Sequence, residues 1–338
     1  MVDFQKISSR QPKEFRLPMQ PYPGLEKLAQ TVALPRNGLR LFYFDAGAPE
    51  QPAALLLHGL GDEADTWRYL IEPLSRRWRV IAPDLPGFGR SDKPKRAYTL
   101  DFLRGCMFEL LEVLSVREVF LVGHSLGAML AHGTALEQIG SSPFGFVEPE
   151  VPDPERSLDK ESGDASIQVS GLVLLDGALL TRPQRLNPQL LLFLAPLVGE
   201  WLYTRLRKDP QAAYATLRAY YAEMDKLPQV ERDFLFYRVN QRVWSDDQRR
   251  AYFSTFRNMA RSISRLQKDL PARLAQLHTP TLILWGAQDR INLSDNGTAL
   301  AQIQPHTRLA LIPDAGHMPH QERVQAVLDE IVNDLRFS

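Results

Sequence analysis

LVGHSLGAML, residues 121–130, places a serine between two glycines, directly after an apolar run and directly before the helix-like run AMLAHGTAL. An ordinary strand-to-helix turn accounts for such a stretch, and so does a nucleophile lifted onto a tight corner. In the second reading Gly123 and Gly127 relieve the crowding where the strand turns, so that Ser125 carries its Oγ exposed at the sheet's edge. The following helix offers unpaired N–H groups at its amino end, and the N–H of Leu126 points at an oxyanion formed on Ser125. A G-x-S-x-G match alone arises often by chance, so the rest of the chain has to decide.

The surroundings supply the context the motif needs. Short apolar runs recur as AALLLHG (53–59), RVIAPD (79–84), VFLVGHS (119–125), GLVLLDG (171–177), PTLILWG (280–286) and TRLALIPDAGH (307–317). Several are apolar at consecutive positions, as expected of strands covered on both faces. Between them lie helix candidates, among them Leu100–Val113 behind a cap at Thr99 and Gln321–Leu335. Ahead of them, residues 30–45 (QTVALPRNGLRLFYFD) read as two strands around Asn37-Gly38, a hairpin signal because both residues tolerate positive φ. Strand and helix in alternation predict an α/β fold with a mostly parallel central sheet of about eight strands flanked by helices.

Two segments break the rhythm. Residues 141–170 are rich in proline and acid and lack periodicity, which reads as an exposed insertion. Residues 178–270 contain helix formers and many aromatics, including Trp201, Tyr203, Tyr220, Tyr252 and Phe253, but no convincing strand. They read as a helical cap inserted between strands. The expected division is an N-terminal extension (1–29), a core (30–177 and 271–338) and the cap (178–270).

Composition narrows the functions. The 338 residues are 44% hydrophobic and 24% charged, with Lys plus Arg and Asp plus Glu at 40 each. Such a chain can bury a sizeable core, and it has no global basic field to hold a phosphate backbone, so no nucleic-acid partner is expected. The single cysteine, Cys106, excludes an intrachain disulfide framework and sits in an apolar helical pattern as a structural thiol. The amino terminus lacks a secretory apolar segment, and the longest apolar run, 190–203, is interrupted by Pro196 and Glu200 and falls short of the roughly 20 residues of a membrane span. The expectation is a cytoplasmic protein without stable membrane insertion.

A serine hydroxyl needs a neighbouring base oriented by a carboxylate. Of seven histidines, His317 lies just past the last apolar run, in a loop emerging at the same carboxyl edge as Ser125. Parallel strands bring such loops together. Asp289, after the strand PTLILWG, reaches that edge one strand earlier and is favoured as the acid, with Asp176 in LVLLDGA as its rival. His317 and His320 could form a metal pair, but no cysteine or carboxylate cluster surrounds them, so no metal is expected. In LLLHGLG (55–61) the glycines allow close backbone approach, and the N–H of Leu60 is placed as a second oxyanion donor. His58 and Asp84 read as structural groups that fix their loops.

These residues carry a resemblance to the α/β-hydrolase superfamily, in its lid-bearing branch of esterases, C–C bond hydrolases, epoxide hydrolases and haloalkane dehalogenases. LLLHGLG, PDLPGFGRSD, LVGHSLG, LILWGAQDRI and PDAGHMPH occur in family order across residues 30 to 335. The resemblance implies Ser125 as nucleophile, Asp289 as acid, His317 as base, the Leu60 and Leu126 amides as oxyanion hole, and no cofactor. Epoxide hydrolases and dehalogenases of this branch carry aspartate where this chain has Ser125, which argues against both. The function expected is a carboxylesterase-like serine hydrolase acting on a hydrophobic small molecule. The alternatives are a C–C hydrolase of ring-fission products and a non-catalytic binding protein of the same fold.

Overall fold

The computed structural model describes residues 13–139, 167–179, 192–266 and 269–334. Strands β1 (Ala29–Leu34) and β2 (Leu39–Ala46) form the expected hairpin, with Leu34 opposite Leu39 and Gly38 at φ 63° closing the turn. Six further strands follow: β3 (Ala53–Leu57), β4 (Arg79–Pro83), β5 (Glu118–His124), β6 (Gln168–Leu175), β7 (Thr281–Gly286) and β8 (Thr307–Ile312). The sheet has eight strands in the order β1-β2-β4-β3-β5-β6-β7-β8. Pairing is antiparallel from β1 through β2 to β4 and parallel from there on.

Every residue of β3 and of β7 is buried. Alternate side chains enter opposite cores, which is why consecutive apolar positions were needed. Leu55, Leu121, Leu172 and Ile283 belong to the larger cluster. Leu56, Val122, Val173 and Leu284 belong to the second. Helix α1 (Ile71–Ser75) packs on the second face, while α2 (Leu100–Val113) and α3 (Leu126–Gln138) pack on the first. Thr99 caps α2 by accepting the Phe102 N–H at 3.1 Å, as its sequence predicts.

Between β6 and β7 the described residues contain helices and no strand: α4 (Val198–Arg205), α5 (Pro210–Ala215), α6 (Gln229–Trp244), α7 (Asp246–Leu266) and α8 (Leu270–Leu274). After β7 come α9 (Asp295–Ile303), α10 (Pro319–Glu322) and α11 (Val324–Asn333).

Two boundaries differ from the sequence reading. Strand β6 starts at Gln168, inside the stretch read as an acidic insertion; residues 140–166 of that stretch lie outside the described residues. The helix expected over Gln321–Leu335 is divided at Arg323 (φ −134°, ψ 54°), and Leu335 is outside the described residues. Beside the break the Glu322 carboxylate turns back to accept the N–H groups of Gly316 and Ala222, both at 2.7 Å. Of the extension 1–29, the described part packs tightly against α6. Phe15 is buried on Phe236 and Tyr237, and the Leu17 and Gln20 carbonyls accept from Gln241 at 3.0 Å and Arg238 at 2.6 Å.

Candidate active site

Ser125 joins β5 to α3 with φ 52° and ψ −111°, a conformation that costs a non-glycine residue about 1–3 kcal/mol. Its neighbours hold it there. A Cβ on Gly127 would lie 2.0 Å from the Leu57 carbonyl oxygen, and one on Gly123 would lie 2.4 Å from the Ala128 nitrogen. Gly177, which the sequence reading did not single out, is equally constrained, since its Cβ would come within 2.6 Å of Ser125 Cα. The Ser125 N–H donates to the Leu175 carbonyl at 2.9 Å and ties the corner to β6.

The loops after β7 and β8 meet beside this corner. His317 Nδ1 lies 2.8 Å from Asp289 Oδ2, and the other oxygen, Oδ1, accepts the N–H groups of Ile291 (2.7 Å) and Asn292 (2.9 Å). Donation from Nδ1–H leaves the His317 Nε2 lone pair as an acceptor, a tautomer assigned from this network. The His317 backbone is held at both ends: its N–H donates to the Tyr220 carbonyl and its carbonyl accepts from His124 Nε2, each at 2.7 Å. Burial, followed by the proximity of His317, pushes His124 down to about 3, so its ring is neutral and acts as a fixed strut next to the serine. Among the described residues no hydrogen bond joins Ser125 Oγ to the His317 ring, a contact that commonly tightens only once substrate is bound.

Asp176 stands behind this pair. Its Oδ1 accepts the Gly286 N–H at 2.8 Å, while Oδ2 is buried without a hydrogen-bond partner. One donor atom from each of Asp176, Asp289 and His317 falls within 4.8 Å of the others. Burial first, and the Asp289 charge second, push Asp176 well above the ordinary carboxylate value, which favours its uncharged form. The 2.8 Å separation of Asp289 and His317 is that of a hydrogen bond. Two ligands about 2.1 Å from one tetrahedral ion stand roughly 3.4 Å apart.

The two amides named as oxyanion donors, Leu60 and Leu126, have no hydrogen-bond partner among the described residues. The turn carrying Leu60 is pressed onto the corner: a Cβ on Gly59 would lie 2.9 Å from His124 Nδ1 and 3.4 Å from Ser125 Cβ. His58 fixes that turn. Its Nε2 accepts the Leu85 N–H at 2.9 Å and its Nδ1 donates to the Gly59 carbonyl at 2.8 Å. Asp84 binds the Ala64 N–H and the Arg90 backbone and guanidinium; burial opposes its charge, but Arg90 holds it at about 2. His320 is committed to the core, bonded to Thr66 at 2.9 Å and packed on Trp67. The Cys106 thiol is pushed up by burial to about 12, which makes it inert at neutral pH.

Aromatics from the helical segment close over the site. The Tyr220 ring centroid is 5.8 Å from that of His317, the Tyr252 ring contacts the space beside Gly61, and Tyr203 lies 5.7 Å from Tyr252. Burial raises all three phenols, Tyr203 to about 12, so they remain neutral. Tyr221, Phe234, Phe236, Tyr237 and Phe253 are core residues instead.

The sequence reading missed how this segment is fastened. Glu231, Arg238 and Arg242 occupy one face of α6, at i, i+7 and i+11. They pair with the loop after β3: Glu231 with Arg68 at 2.7 Å, Arg238 with Glu63 at 3.1 Å, and Arg242 with Glu63 at 2.7 Å and with Asp62. This is the loop that carries Leu60. The acid-rich DEADTWR stretch after a glycine turn was the available signal.

Comparisons with known proteins place the chain in a family. A model of the alpha/beta hydrolase family matches residues 54–330. An uncharacterised protein of Mycobacterium tuberculosis is 48% identical over 95 residues, 28% of this chain and 27% of that protein. The chain therefore spans only about a quarter of that relative in the match. Epoxide hydrolase 3 of Xenopus tropicalis is 26% identical over 313 residues, 90% of this chain and 76% of that protein. Among solved structures, a 2-hydroxy-6-oxo-6-phenylhexa-2,4-dienoate hydrolase of Rhodococcus superposes with a TM-score of 0.68 at 22% identity, covering 91% of this chain and 99% of that one.

Proposed function

The chain belongs to the alpha/beta hydrolase family, and from that premise we propose that it is a serine hydrolase cleaving an ester, or a similarly activated carbonyl, of a hydrophobic small molecule. The observation that carries the reading is the buried 2.8 Å Asp289–His317 hydrogen bond beside a serine at φ 52°. Ser125 Oγ attacks the carbonyl carbon as His317 Nε2 takes its proton. The Leu60 and Leu126 N–H groups stabilise the tetrahedral oxyanion, and collapse expels the leaving group, which receives the proton from His317. Water then loses a proton to His317, attacks the acyl-enzyme, and releases the acid and free Ser125. Asp289 holds the imidazolium throughout, and no cofactor or metal enters these steps. The helices between β6 and β7 form a cap whose tyrosines suit an apolar acyl or aryl group with few polar atoms.

Serine at the nucleophile position favours this chemistry over epoxide opening. An epoxide opened by serine would leave an ether, which has no carbonyl for water to attack, whereas an aspartyl ester can be hydrolysed. Carbon–carbon bond hydrolysis is the second reading, favoured by the chain's 26% identity over 300 residues to a Burkholderia cepacia protein named 2-hydroxy-6-oxo-6-phenylhexa-2,4-dienoate hydrolase. Turnover of aryl esters of increasing acyl length, measured beside a dienol ketoacid, separates the two. Ester turnover at least a hundredfold above the ketoacid supports esterase action, and the reverse ratio assigns the carbon–carbon reaction.

A further inference from the structure

The outer side of the helical segment carries an unusual surface. Leu192, Leu197 and Trp201 are 54%, 83% and 56% exposed, with Val198 beside them. Leu197 projects from a left-handed backbone, φ 69°, a conformation that a bulky side chain rarely adopts. Leu197 and Trp201 are one helical turn apart and form a ridge. The ridge is clamped in place: the Arg257 guanidinium binds both oxygens of Glu200, at 2.6 and 2.9 Å, and the carbonyls of Leu194 (2.9 Å) and Ala195 (3.4 Å).

Beside the ridge lies a cleft of about 500 Å³ whose lining includes Arg96, Arg249, Arg250, Arg257, Arg261, Glu200 and Asp246. Arg249, Arg250 and Arg257 are paired with Asp246, Asp247 and Glu200. Arg96 and Arg261 have no carboxylate partner among the described residues. Arg96 lies over the Phe102 ring at 3.9 Å, and Arg261 bonds the Asn258 amide oxygen at 3.2 Å. Arg205 adds a third cation, stacked on Trp201 at 4.7 Å.

We propose that the ridge and cleft together dock the protein on an anionic lipid membrane, with Leu197 and Trp201 entering the headgroup–acyl boundary and Arg96, Arg205 and Arg261 meeting lipid phosphates. Exposed tryptophan and leucine flanked by arginine are the composition of interfacial binding, and anionic headgroups complement the surplus charge. A free anion accounts for the cleft but not for the ridge. A second copy docked face to face would set like-charged rims against each other. On its opposite face α4 points Tyr203 toward Tyr252 above the site, so an apolar substrate dissolved in the membrane has one helix to pass. That last step rests on the serine-hydrolase reading; the docking does not.

Sedimentation with vesicles of phosphatidylcholine alone, or mixed equally with phosphatidylglycerol, tests the docking. The full chain sediments with the anionic vesicles, not with the neutral ones, and is released as salt rises. Two double variants, Leu197→Gly with Trp201→Ser and Arg96→Glu with Arg261→Glu, each lower partitioning by roughly tenfold or more. Leu197→Gly relieves the backbone, so folding is spared, and an unchanged thermal midpoint confirms it. Four results overturn the proposal: no sedimentation with anionic vesicles, equal sedimentation with both lipids, inorganic phosphate retained without vesicle binding, or a concentration-dependent dimer broken by Leu197→Gly.

Discussion

His317 Nδ1 and Asp289 Oδ2 lie 2.8 Å apart with both side chains sealed from solvent. The bond joins loops that leave the sheet from neighbouring strands, β7 and β8, and its strength comes from geometry that the two strands fix and from the exclusion of water. Asp289→Asn keeps the shape and the oxygen held by the Ile291 and Asn292 N–H groups, but removes the charge and puts an NH2 where an oxygen accepts from His317. Its kcat for an aryl ester falls on the order of 10⁴-fold with the circular dichroism spectrum unchanged, and a loss under tenfold contradicts the assigned role.

Asp176 sits behind that pair with its carboxyl raised by burial and by the Asp289 charge. Asp176→Asn fixes the side chain in the uncharged form that burial favours. The pH profile of kcat/KM therefore stays in place and its height changes less than threefold. A shift of the acid limb by a full pH unit would mean that Asp176 is ionised in the working enzyme.

Arg242→Met leaves the half-buried Asp62 without its cation and the buried Glu63 with Arg238 alone. The expected loss is about 3–5 kcal/mol by chemical denaturation, together with reduced ester turnover because the same loop carries the Leu60 amide. A stability loss below about 1 kcal/mol would show that the Arg242 pairs do not hold α6 in place.

Acidification from pH 7 to 5 destabilises the fold through its buried histidines. His58, His124, His132 and His320 are all lowered by burial, His132 to about 4 and His124 to about 3. Below pH 6.5 the unfolded chain binds protons that the folded one refuses, so stability rises with pH over this window. His124 and His132 each account for about 2 kcal/mol at pH 5. Denaturation midpoints at the two pH values measure the loss, and His132→Gln flattens the slope; equal midpoints contradict it.

The alternation of strand and helix was legible because parallel strands buried on both faces need consecutive apolar residues, as in AALLL and TLILWG. The serine corner and the loops bearing Asp289 and His317 were legible because chain order alone places them at one sheet edge. The start of β6 was not, since Gln168 and Ser170 give its first turn of pleat a polar face. Nor was the division of the last helix at Arg323, beside which the Glu322 carboxylate reaches the distant Gly316 and Ala222 N–H groups. The clasp of Phe15 on α6 and the ladder of Glu231, Arg238 and Arg242 were hidden for another reason. Their partners lie 163 to 222 residues away, and common charged or aromatic residues carry no mark of whom they will meet.

Intact-mass measurement after treatment with a fluorophosphonate tests the serine-hydrolase assignment most directly. One adduct is expected, mapped by peptide sequencing to Ser125, and none on Ser125→Ala. An unlabelled native protein under conditions that fully label a control esterase, or an adduct that persists in Ser125→Ala, would contradict the assignment.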